Sequence, residues 1–463
     1  MPTTPVLHVG ILGATTATDS IYIPILNSLP NHYTFIIIHT TSNNLERDTQ
    51  KHADVHTPQI TTNPDEVINH PDVTLIINLL PFDHHEQYTL AALESGKHVM
   101  VEVPLSLSIH GLRRVRDARK KGAARSSQPD NAIANTNVSN TPGPKVFVGC
   151  ARRYAPCFTD IFKKEISTLG RVYYARCRNI TGPYTAPVAP NTPGKGYING
   201  NSNSGLPSSL TPSASSTARP ARIHALLADI FGSGEDCTRD REAFCRFLGT
   251  LGGHDLSLIR ESLGFPDAVS NISIIEPFYS AMFHYTDDSR GVTYPFTLIW
   301  EAGVDGVPRC DAHLTVYGEK KTISVEYDFS CVGVRGEGVA VKVVVEEAVD
   351  DSGDVDVNVD VEVNGKAGEN GHVNSDGDGQ GNGVANGHAR TRPRMKRTEF
   401  VSTARETYEQ EFLAMHAYLA GDAGDSNLEA KTTAEDALDD LKLMHMIFDH
   451  YDRQCGTIRT PLG

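Results

Sequence analysis

Residues 73–104 read VTLIINLLPFDHHEQYTLAALESGKHVMVEVP. Two apolar runs of strand length, 73–80 and 98–104, flank a helical pattern at 85–96 that closes on a glycine. Strands that are apolar on both faces and alternate with helices are typical of a parallel sheet covered on both sides. This segment therefore predicts a strand–helix–strand unit of an α/β domain.

The same alternation extends over residues 1–150. Ligands of such sheets bind beyond the carboxyl ends of the strands. We therefore expect a doubly wound parallel sheet with its ligand site at that edge. The further strands predicted here are 6–13, 33–40 and 145–151, and the further helices are 20–29, 64–69 and 107–121.

The end of the first strand, GILGATTAT at residues 10–18, carries part of a dinucleotide-binding pattern. The full pattern places glycines at 13, 15 and 18, and only Gly13 is present. We predict that Gly13 lies against the cofactor and that the Thr15 hydroxyl donates to a phosphate. The second strand ends at Thr40 without an acidic residue for the ribose 2′-OH of NAD, which permits NADP as well as NAD.

Residues 151–463 change to runs in which apolar and polar side chains alternate. Such alternation predicts a largely antiparallel sheet with one face toward solvent. Amphipathic helices are predicted at 407–420 and 432–450. The predicted strands are 173–179, 268–275, 278–285, 296–302, 311–317 and 321–327.

Three polar stretches, at about 123–144, 185–220 and 350–394, are predicted to be disordered insertions. The last is preceded by and includes an acidic run. Residues 346–378 hold eleven acidic side chains and one lysine, a net charge of −10 out of −15 for the whole chain. An inert insertion and a regulatory acidic arm are both open interpretations of this segment.

The composition argues against several classes of protein. An acidic chain is a poor partner for nucleic acid or an anionic membrane, and no apolar run is long enough to span a bilayer. We also expect no signal peptide. Eight scattered cysteines without a C-x-x-C pair favour reduced thiols in the cytoplasm over a disulfide framework, and no metal site is expected.

Several segments, in this order along the chain, resemble the Gfo/Idh/MocA oxidoreductase family. They are ALESGKHVMVEVP (92–104), GCARRYAPCF (149–158), GGHDLSLIRESLG (252–264), the segment 299–328, and TTAEDALDDL (432–441). The resemblance covers nearly the whole chain apart from the three insertions. It implies a Rossmann domain over residues 1–150, followed over 151–463 by a domain with an open-faced, largely antiparallel sheet.

The resemblance also implies an activity and an assembly. Its members mostly perform NAD(P)-dependent oxidation or reduction of sugars, cyclitols or related polyols. A homo-oligomer formed through the sheet of the second domain is implied as well.

The resemblance places a catalytic histidine at His254, with Asp255 beside it as a second candidate. The alternative for both is that they cap the helix that follows, because Asp is common in a first helical turn. On the cofactor side it implies Asn78, Pro81 and His85 after the third predicted strand, and Glu102 and Pro104 after the fourth.

Arg153 and Tyr154 follow the fifth predicted strand, at the edge where ligands bind. We predict that the Arg153 guanidinium contacts the cofactor and that the Tyr154 phenol assists catalysis. The alternative is a salt bridge between the domains with a packed tyrosine.

The chain departs from the family motif E-K-P at its lysine, which is Val103. Valine can neither hydrogen-bond a reacting hydroxyl nor manage its proton. Two hypotheses follow. In the first, the protein is an oxidoreductase in which His254 handles the proton. In the second, it is a non-catalytic nucleotide-binding regulator on the same fold.

Overall fold

The computed structural model describes residues 5–14, 18–40, 58–126, 143–182, 218–232, 238–287, 293–307, 310–327, 339–349, 394–421 and 431–458. Two β-sheets organise these residues. One has six strands and the other has eight. The three predicted insertions lie largely outside the described residues.

The first sheet is parallel, with strand order β3-β2-β1-β4-β5-β6. Its order reverses between β1 and β4, which is where ligands of doubly wound sheets bind. The predicted parallel α/β fold is confirmed. The strands are β1 Leu7–Leu12, β2 Tyr33–His39, β3 Gln59–Thr61, β4 Leu75–Asn78, β5 His98–Glu102 and β6 Val146–Gly149. The helices are α1 Ile23–Ser28, α2 Pro64–Ile68, α3 His85–Glu94 and α4 Ile109–Ser126.

Both faces of this sheet are buried, which explains its continuous apolar strands. On one face, Val9 and Ile11 of β1 pack with α1 and with a helix from the C-terminal part of the chain. On the other face, Ile76 and Val99 pack with α2, α3 and α4. The contact is close, since a side chain at Gly10 would come within 2.7 Å of Val67 Cγ1.

The second sheet has the order β14-β13-β12-β11-β7-β10-β9-β8, and its neighbours are antiparallel except for β7 and β10. The predicted largely antiparallel sheet is confirmed. Its strands are β7 Tyr174–Thr181, β8 Ala268–Ser273, β9 Phe278–Asp287, β10 Tyr294–Val304, β11 Cys310–Tyr317, β12 Lys321–Tyr327, β13 Val339–Val349 and β14 Arg394–Thr403. The remaining helices are α5 Lys163–Thr168, α6 Ala218–Phe231, α7 Arg239–Phe247, α8 Gly253–Leu263, α9 Ala404–Ala420 and α10 Ala434–Ile458.

Two boundaries of the predicted insertions were wrong. Helix α4 continues to Ser126, and helix α6 begins at Ala218, inside the stretch assigned to the second insertion. The prolines and serines near these ends hid the helices, because such residues are typical of loops. Strands β13 and β14 were also missed, since both border the acidic low-complexity segment.

The C-terminal helices connect the two sheets. The Tyr33 hydroxyl of β2 donates to the Phe412 carbonyl of α9 at 2.6 Å. The Val148 amide of β6 donates to the Thr432 carbonyl, just before α10, at 2.8 Å. Helix α9 begins with a reciprocal capping box between Thr403 and Glu406. Because α9 and α10 contact the first sheet, the domain boundary at residue 150 stays a prediction.

None of the described helices is long and apolar enough to cross a membrane. Within the described ranges, no three His, Cys, Asp or Glu side chains converge in the way that a metal ion requires.

Candidate active site

The ends of β1 and β4 meet at Gly13. This residue has φ +87°, and a Cβ there would lie 2.9 Å from the Leu80 amide nitrogen. Only glycine fits both the left-handed backbone and the close approach. The Gly13 amide donates to Nδ1 of His39 at the end of β2. Gly13 therefore packs closely against the loop after β4, at the switch point of the sheet.

Two further residues at this edge, Thr15 and Thr40, were predicted to contact the cofactor. Thr15 lies outside the described residues. Thr40 is 2% exposed, and its amide donates to the Thr61 carbonyl at 2.9 Å. Its backbone thus joins the ends of β2 and β3.

The turn between β4 and α3 is braced by Asn78 and His85. The Asn78 amide group donates to the His85 carbonyl at 3.2 Å. The His85 ring contacts two carbonyl oxygens, Leu80 O at 2.7 Å through Nε2 and Pro104 O at 2.8 Å through Nδ1. Burial lowers the pKa of His85, although both carbonyls oppose that shift. His85 thus ties the loop after β4 to the loop after β5, and Pro81 lies in the first of these loops.

His254 lies next to this brace, in the first turn of α8. A side chain at the preceding Gly253 would come within 3.1 Å of Val103 Cγ1. Val103 is 4% exposed, so the position of the family's lysine is an apolar contact with α8. Burial lowers the pKa of His254 to about 3, and Arg152 and His85 add to this effect. The structure therefore brings His254, Val103, His85 and Pro104 together.

Asp255, the next residue of α8, is fully buried. Its carboxylate accepts from Arg152 Nη1 at 3.2 Å, from Asn179 Nδ2 at 2.9 Å, and from the Tyr327 hydroxyl at 3.2 Å. The Arg152 guanidinium also lies 4.2 Å from the centre of the Tyr327 ring. Burial raises the pKa of Asp255, while these donors oppose the rise. Asp255 therefore fixes α8 to β7 and β12 and so orients the turn that carries His254.

Arg153 is 1% exposed, and acidic side chains surround its guanidinium. Nη1 lies 2.6 Å from an Asp436 oxygen, and Nη2 lies 2.7 Å from a Glu261 oxygen. Further hydrogen bonds join it to the Ser257 hydroxyl and the Lys431 carbonyl. This is the buried ion pair that the sequence left open as an alternative to a cofactor contact.

Tyr154 is also packed away from the cleft. It is 5% exposed, its hydroxyl lies 2.8 Å from Thr432 Oγ1, and it accepts from the Lys431 amide. Its ring lies beside Phe147 of β6. Burial raises the pKa of Tyr154, so the phenol stays protonated. This arrangement matches the alternative of a packed tyrosine.

A second group of polar side chains, which the sequence did not single out apart from Glu102, lies on the other face of the sheet. The Tyr22 hydroxyl donates to Glu102 Oε1 at the end of β5. The Cys150 amide at the end of β6 donates to Glu411 Oε1 at 2.7 Å. Nothing in the sequence marks Tyr22 or Glu411, because one lies in an apolar run and the other on the polar pattern of α9. We call Tyr22, Glu102 and Glu411 the carboxyl cluster.

Helix α6 packs on the loop after β4 through a buried carboxylate. The Asp83 side chain is 1% exposed and lies 3.0 Å from Arg222 Nη2 and 3.4 Å from Arg219 Nε. The alternation of strands and helices did not indicate this helix, although it borders the same edge of the first sheet as Gly13.

Residues 7–127 match a family model described as "Oxidoreductase family, NAD-binding Rossmann fold". This range contains the first five strands of the parallel sheet. The match therefore covers the N-terminal part of the chain, in which the parallel sheet has the strand order of a doubly wound fold.

Characterised and uncharacterised proteins resemble parts of this chain. An uncharacterised oxidoreductase of Escherichia coli K12, YdgJ, is 29% identical over 119 residues, covering 26% of this chain and 32% of YdgJ. An inositol 2-dehydrogenase of Klebsiella pneumoniae (strain 342) is 45% identical over 60 residues, covering 13% of this chain and 18% of that protein. The chain thus matches less than a third of the length of either relative.

The whole fold resembles solved oxidoreductase structures. The putative oxidoreductase yvaA from Bacillus subtilis superposes with a TM-score of 0.56 over 97% of this chain and 98% of that chain, at 14% sequence identity. At that identity the similarity concerns the fold alone, and it extends to the second sheet.

Proposed function

We propose that the chain, whose residues 7–127 match the family model, is an oxidoreductase of the Gfo/Idh/MocA type. In this proposal it oxidises or reduces a hydroxyl carbon of a sugar, cyclitol or related polyol with NAD or NADP. The observation that carries the proposal is the placement of His254 beside Val103 and His85, at the carboxyl edge of the Rossmann sheet. Ligands of such sheets bind at this edge.

The residues at the edge fit a dinucleotide. Gly13 provides the close backbone approach, and the segments from Asn78 to Pro81 and from Glu102 to Pro104 line the β4–β5 side. When bound there, the nicotinamide supplies the acceptor or donor of a hydride. The ring of His254 is neutral at physiological pH and can accept the proton of the substrate hydroxyl, while its lowered pKa makes it a weaker base than an exposed histidine.

Three predicted site residues receive different roles in this proposal. Asp255 orients the first turn of α8, because its carboxylate bonds to Arg152, Asn179 and Tyr327. We do not assign Arg153 to the cofactor or Tyr154 to catalysis, since buried partners occupy both side chains.

A second candidate function is a nucleotide-binding regulator without turnover. The specific observation that favours it is the apolar contact of Val103 with α8, which leaves no amine at the position of the motif lysine. This candidate shares the cofactor site with the first and differs from it in the chemistry.

The test separates binding from turnover. The full-length protein is titrated with NADH and NADPH by fluorescence or calorimetry and then assayed on a panel of sugars and polyols. We expect binding of at least one cofactor and oxidation of at least one substrate. Binding without turnover, with a gain of turnover in Val103→Lys, would favour the regulator. No binding of either cofactor would contradict both candidates.

Replacing Gly13 with alanine is expected to weaken NAD(P)H binding about tenfold or more. The new Cβ would sit 2.9 Å from the Leu80 amide, and the left-handed backbone costs about 1–2 kcal/mol for an L-residue. Gly264→Ala is the matched control, because Gly264 has a similar φ of +80° but has open space around it, at the end of α8. Equal loss of cofactor affinity in both variants would contradict a specific role of Gly13 in cofactor binding.

We also propose a homo-oligomer through the face of the second sheet that helices leave uncovered. Side chains there alternate with the buried ones and form cross-strand ion pairs, such as Arg178 with Asp311 at 2.8 Å. Light scattering on the purified protein tests this, and a monomer at micromolar concentration would contradict it.

A further inference from the structure

The carboxyl cluster lies on the β4–β5 side of the switch point. Glu102 is the last residue of β5 and is partly exposed, so it reaches the edge where ligands bind. In doubly wound sheets the residue at the end of β2 contacts the adenine ribose. The nicotinamide half of a dinucleotide therefore extends over the β4–β5 side, toward Glu102.

Two carboxyl groups lie against the last residues of β6 and the residue that follows it. A side chain at Gly149 would lie 2.9 Å from Glu102 Oε1, so the Glu102 carboxyl covers that residue. The next residue, Cys150, donates its amide to Glu411 Oε1 at 2.7 Å. Glu411 is 0% exposed, and Glu102 raises the pKa of Glu411 further above its usual range than burial alone does. The two carboxyls thus lie against the neighbouring residues 149 and 150, and the Glu102 carboxyl acts electrostatically on Glu411.

The hydrogen bonds do not suffice for two charges. Glu102 receives the Tyr22 hydroxyl and Glu411 receives one amide, while Glu411 Oε2 is buried and has no hydrogen-bond partner in the described part of the chain. A buried ion without a partner costs several kcal/mol. One proton on the pair removes one of the two negative charges and so lowers the cost of burying them.

The groups that face the pair do not supply a counter-charge. Burial raises the pKa of four tyrosines and of the Cys150 thiol, so all five groups are neutral at physiological pH. The tyrosines are Tyr22, Tyr33, Tyr154 and Tyr408. Arg152 is the cation that acts on Tyr408, and its Nη1 is bonded to Asp255. No cation lies within salt-bridge distance of Glu102 or Glu411 among the described residues.

We propose that Glu102 and Glu411 hold one proton between them in the free protein and release it to solvent when oxidised, positively charged nicotinamide binds beside Glu102. This inference rests on the proposed function. A positive charge within about 4–6 Å favours the ionised form of a carboxyl. Reduced nicotinamide is neutral and leaves the proton in place. Only a proton moves in this step, from the carboxyl pair to water, and no electrons are transferred.

The shared proton makes cofactor choice depend on pH. Because binding of the oxidised form releases a proton, its affinity rises with pH, while the affinity for the reduced form does not. The pair thereby biases the site toward the reduced cofactor in acid and toward the oxidised cofactor in alkali.

The first test needs no cofactor. Infrared spectroscopy of the full-length protein at neutral pH should show the C=O stretching band of a protonated carboxyl, and the difference spectrum between the wild type and Glu411→Gln should contain that band. Glu409→Gln is the matched control, since Glu409 is on the same helix and is not part of the carboxyl cluster. Absence of the band from the wild type, or from the difference spectrum with Glu411→Gln, would overturn the inference.

The second test follows protons with an indicator dye in weak buffer. Oxidised cofactor should release up to one proton per chain, and reduced cofactor should release none. Glu411→Gln should bind both forms without release. Binding of the oxidised form without release, or equal release in Glu411→Gln, overturns the inference and leaves the proposed function intact. Failure to bind either nucleotide contradicts the proposed function, while the infrared band still decides whether the proton is shared.

The pair also predicts how stability depends on pH. The pKa of Glu411 is raised in the folded protein, so its contribution to stability is complete below the unfolded pKa and is lost as the pH rises through the folded value. The melting temperature of Glu411→Gln should therefore exceed that of the wild type by a margin that widens from pH 5 to pH 9. A constant or shrinking margin would contradict the raised pKa.

Discussion

Replacing Arg153 with alanine is expected to lower the free energy of unfolding by about 3–5 kcal/mol, which is typical of breaking a buried ion pair by removing one partner. The variant leaves Asp436 and Glu261 without the cation between them. It also removes donors to the Ser257 hydroxyl and the Lys431 carbonyl. Urea unfolding followed by circular dichroism measures the loss.

A surface arginine provides the control. Arg114 also bridges two carboxylates, those of Glu86 and Asp229, but its side chain is 45% exposed. Its replacement with alanine should cost less than about 1 kcal/mol, because solvent screens exposed ion pairs. Should Arg153→Ala fail to fold, Arg153→Lys keeps the charge without the planar fork and should lose part of the stability. Similar small losses for Arg153→Ala and Arg114→Ala would show that the buried network does not hold α10 in place.

The second large effect concerns turnover. If the protein oxidises a polyol, His254→Ala should lower kcat by about 10²–10⁴-fold, the range expected for loss of a general base. Cofactor affinity should change little, because Gly13 and the β4 loop remain. Steady-state kinetics with a substrate found by the panel measures the effect, and His110→Ala, which removes an exposed histidine on α4, is the control.

The pH profile sharpens this test. The pKa of His254 is lowered to about 3, so the ring is neutral through the physiological range. Protonation of His254 should therefore not lower the rate near pH 6.5, at the usual histidine pKa of about 6.5. Any fall in rate near that pH should persist in the residual activity of His254→Ala. For stability, the contribution of neutral His254 is complete above the unfolded pKa and is lost as the pH falls toward the folded value. A rate that is unchanged in His254→Ala would remove this residue from the mechanism.

Much of the fold follows from local patterns. Strands such as β1 and β4 are continuous apolar runs because both of their faces are covered, and periodicity detects such runs. Strand β3 escaped notice because three residues carry too little pattern. Strand β13 was hidden because its valines run into an acidic, glycine-rich segment, and overall composition then outweighs local alternation.

The candidate site could be predicted only in part. His254 and the replacement of the motif lysine by Val103 could be predicted because each residue lies in its own contiguous motif. The burial of Arg153 was not, since its partners Glu261 and Asp436 lie 108 and 283 residues further along the chain. The burial of Glu411 could not be predicted either, because a glutamate on an amphipathic helix ordinarily faces water.

The pairing of Val349 with Arg394 has a consequence for the length of this chain. Val349 and Arg394 are paired at the ends of β13 and β14, so these two strand ends are as close as those of a tight hairpin. The entropy of closing such a connection changes only slowly with its length. Connecting segments of different length are therefore compatible with this junction between β13 and β14. We therefore expect a variant in which a two-residue turn replaces residues 350–393, which carry a large share of the chain's negative charge, to keep the register of β13 and β14.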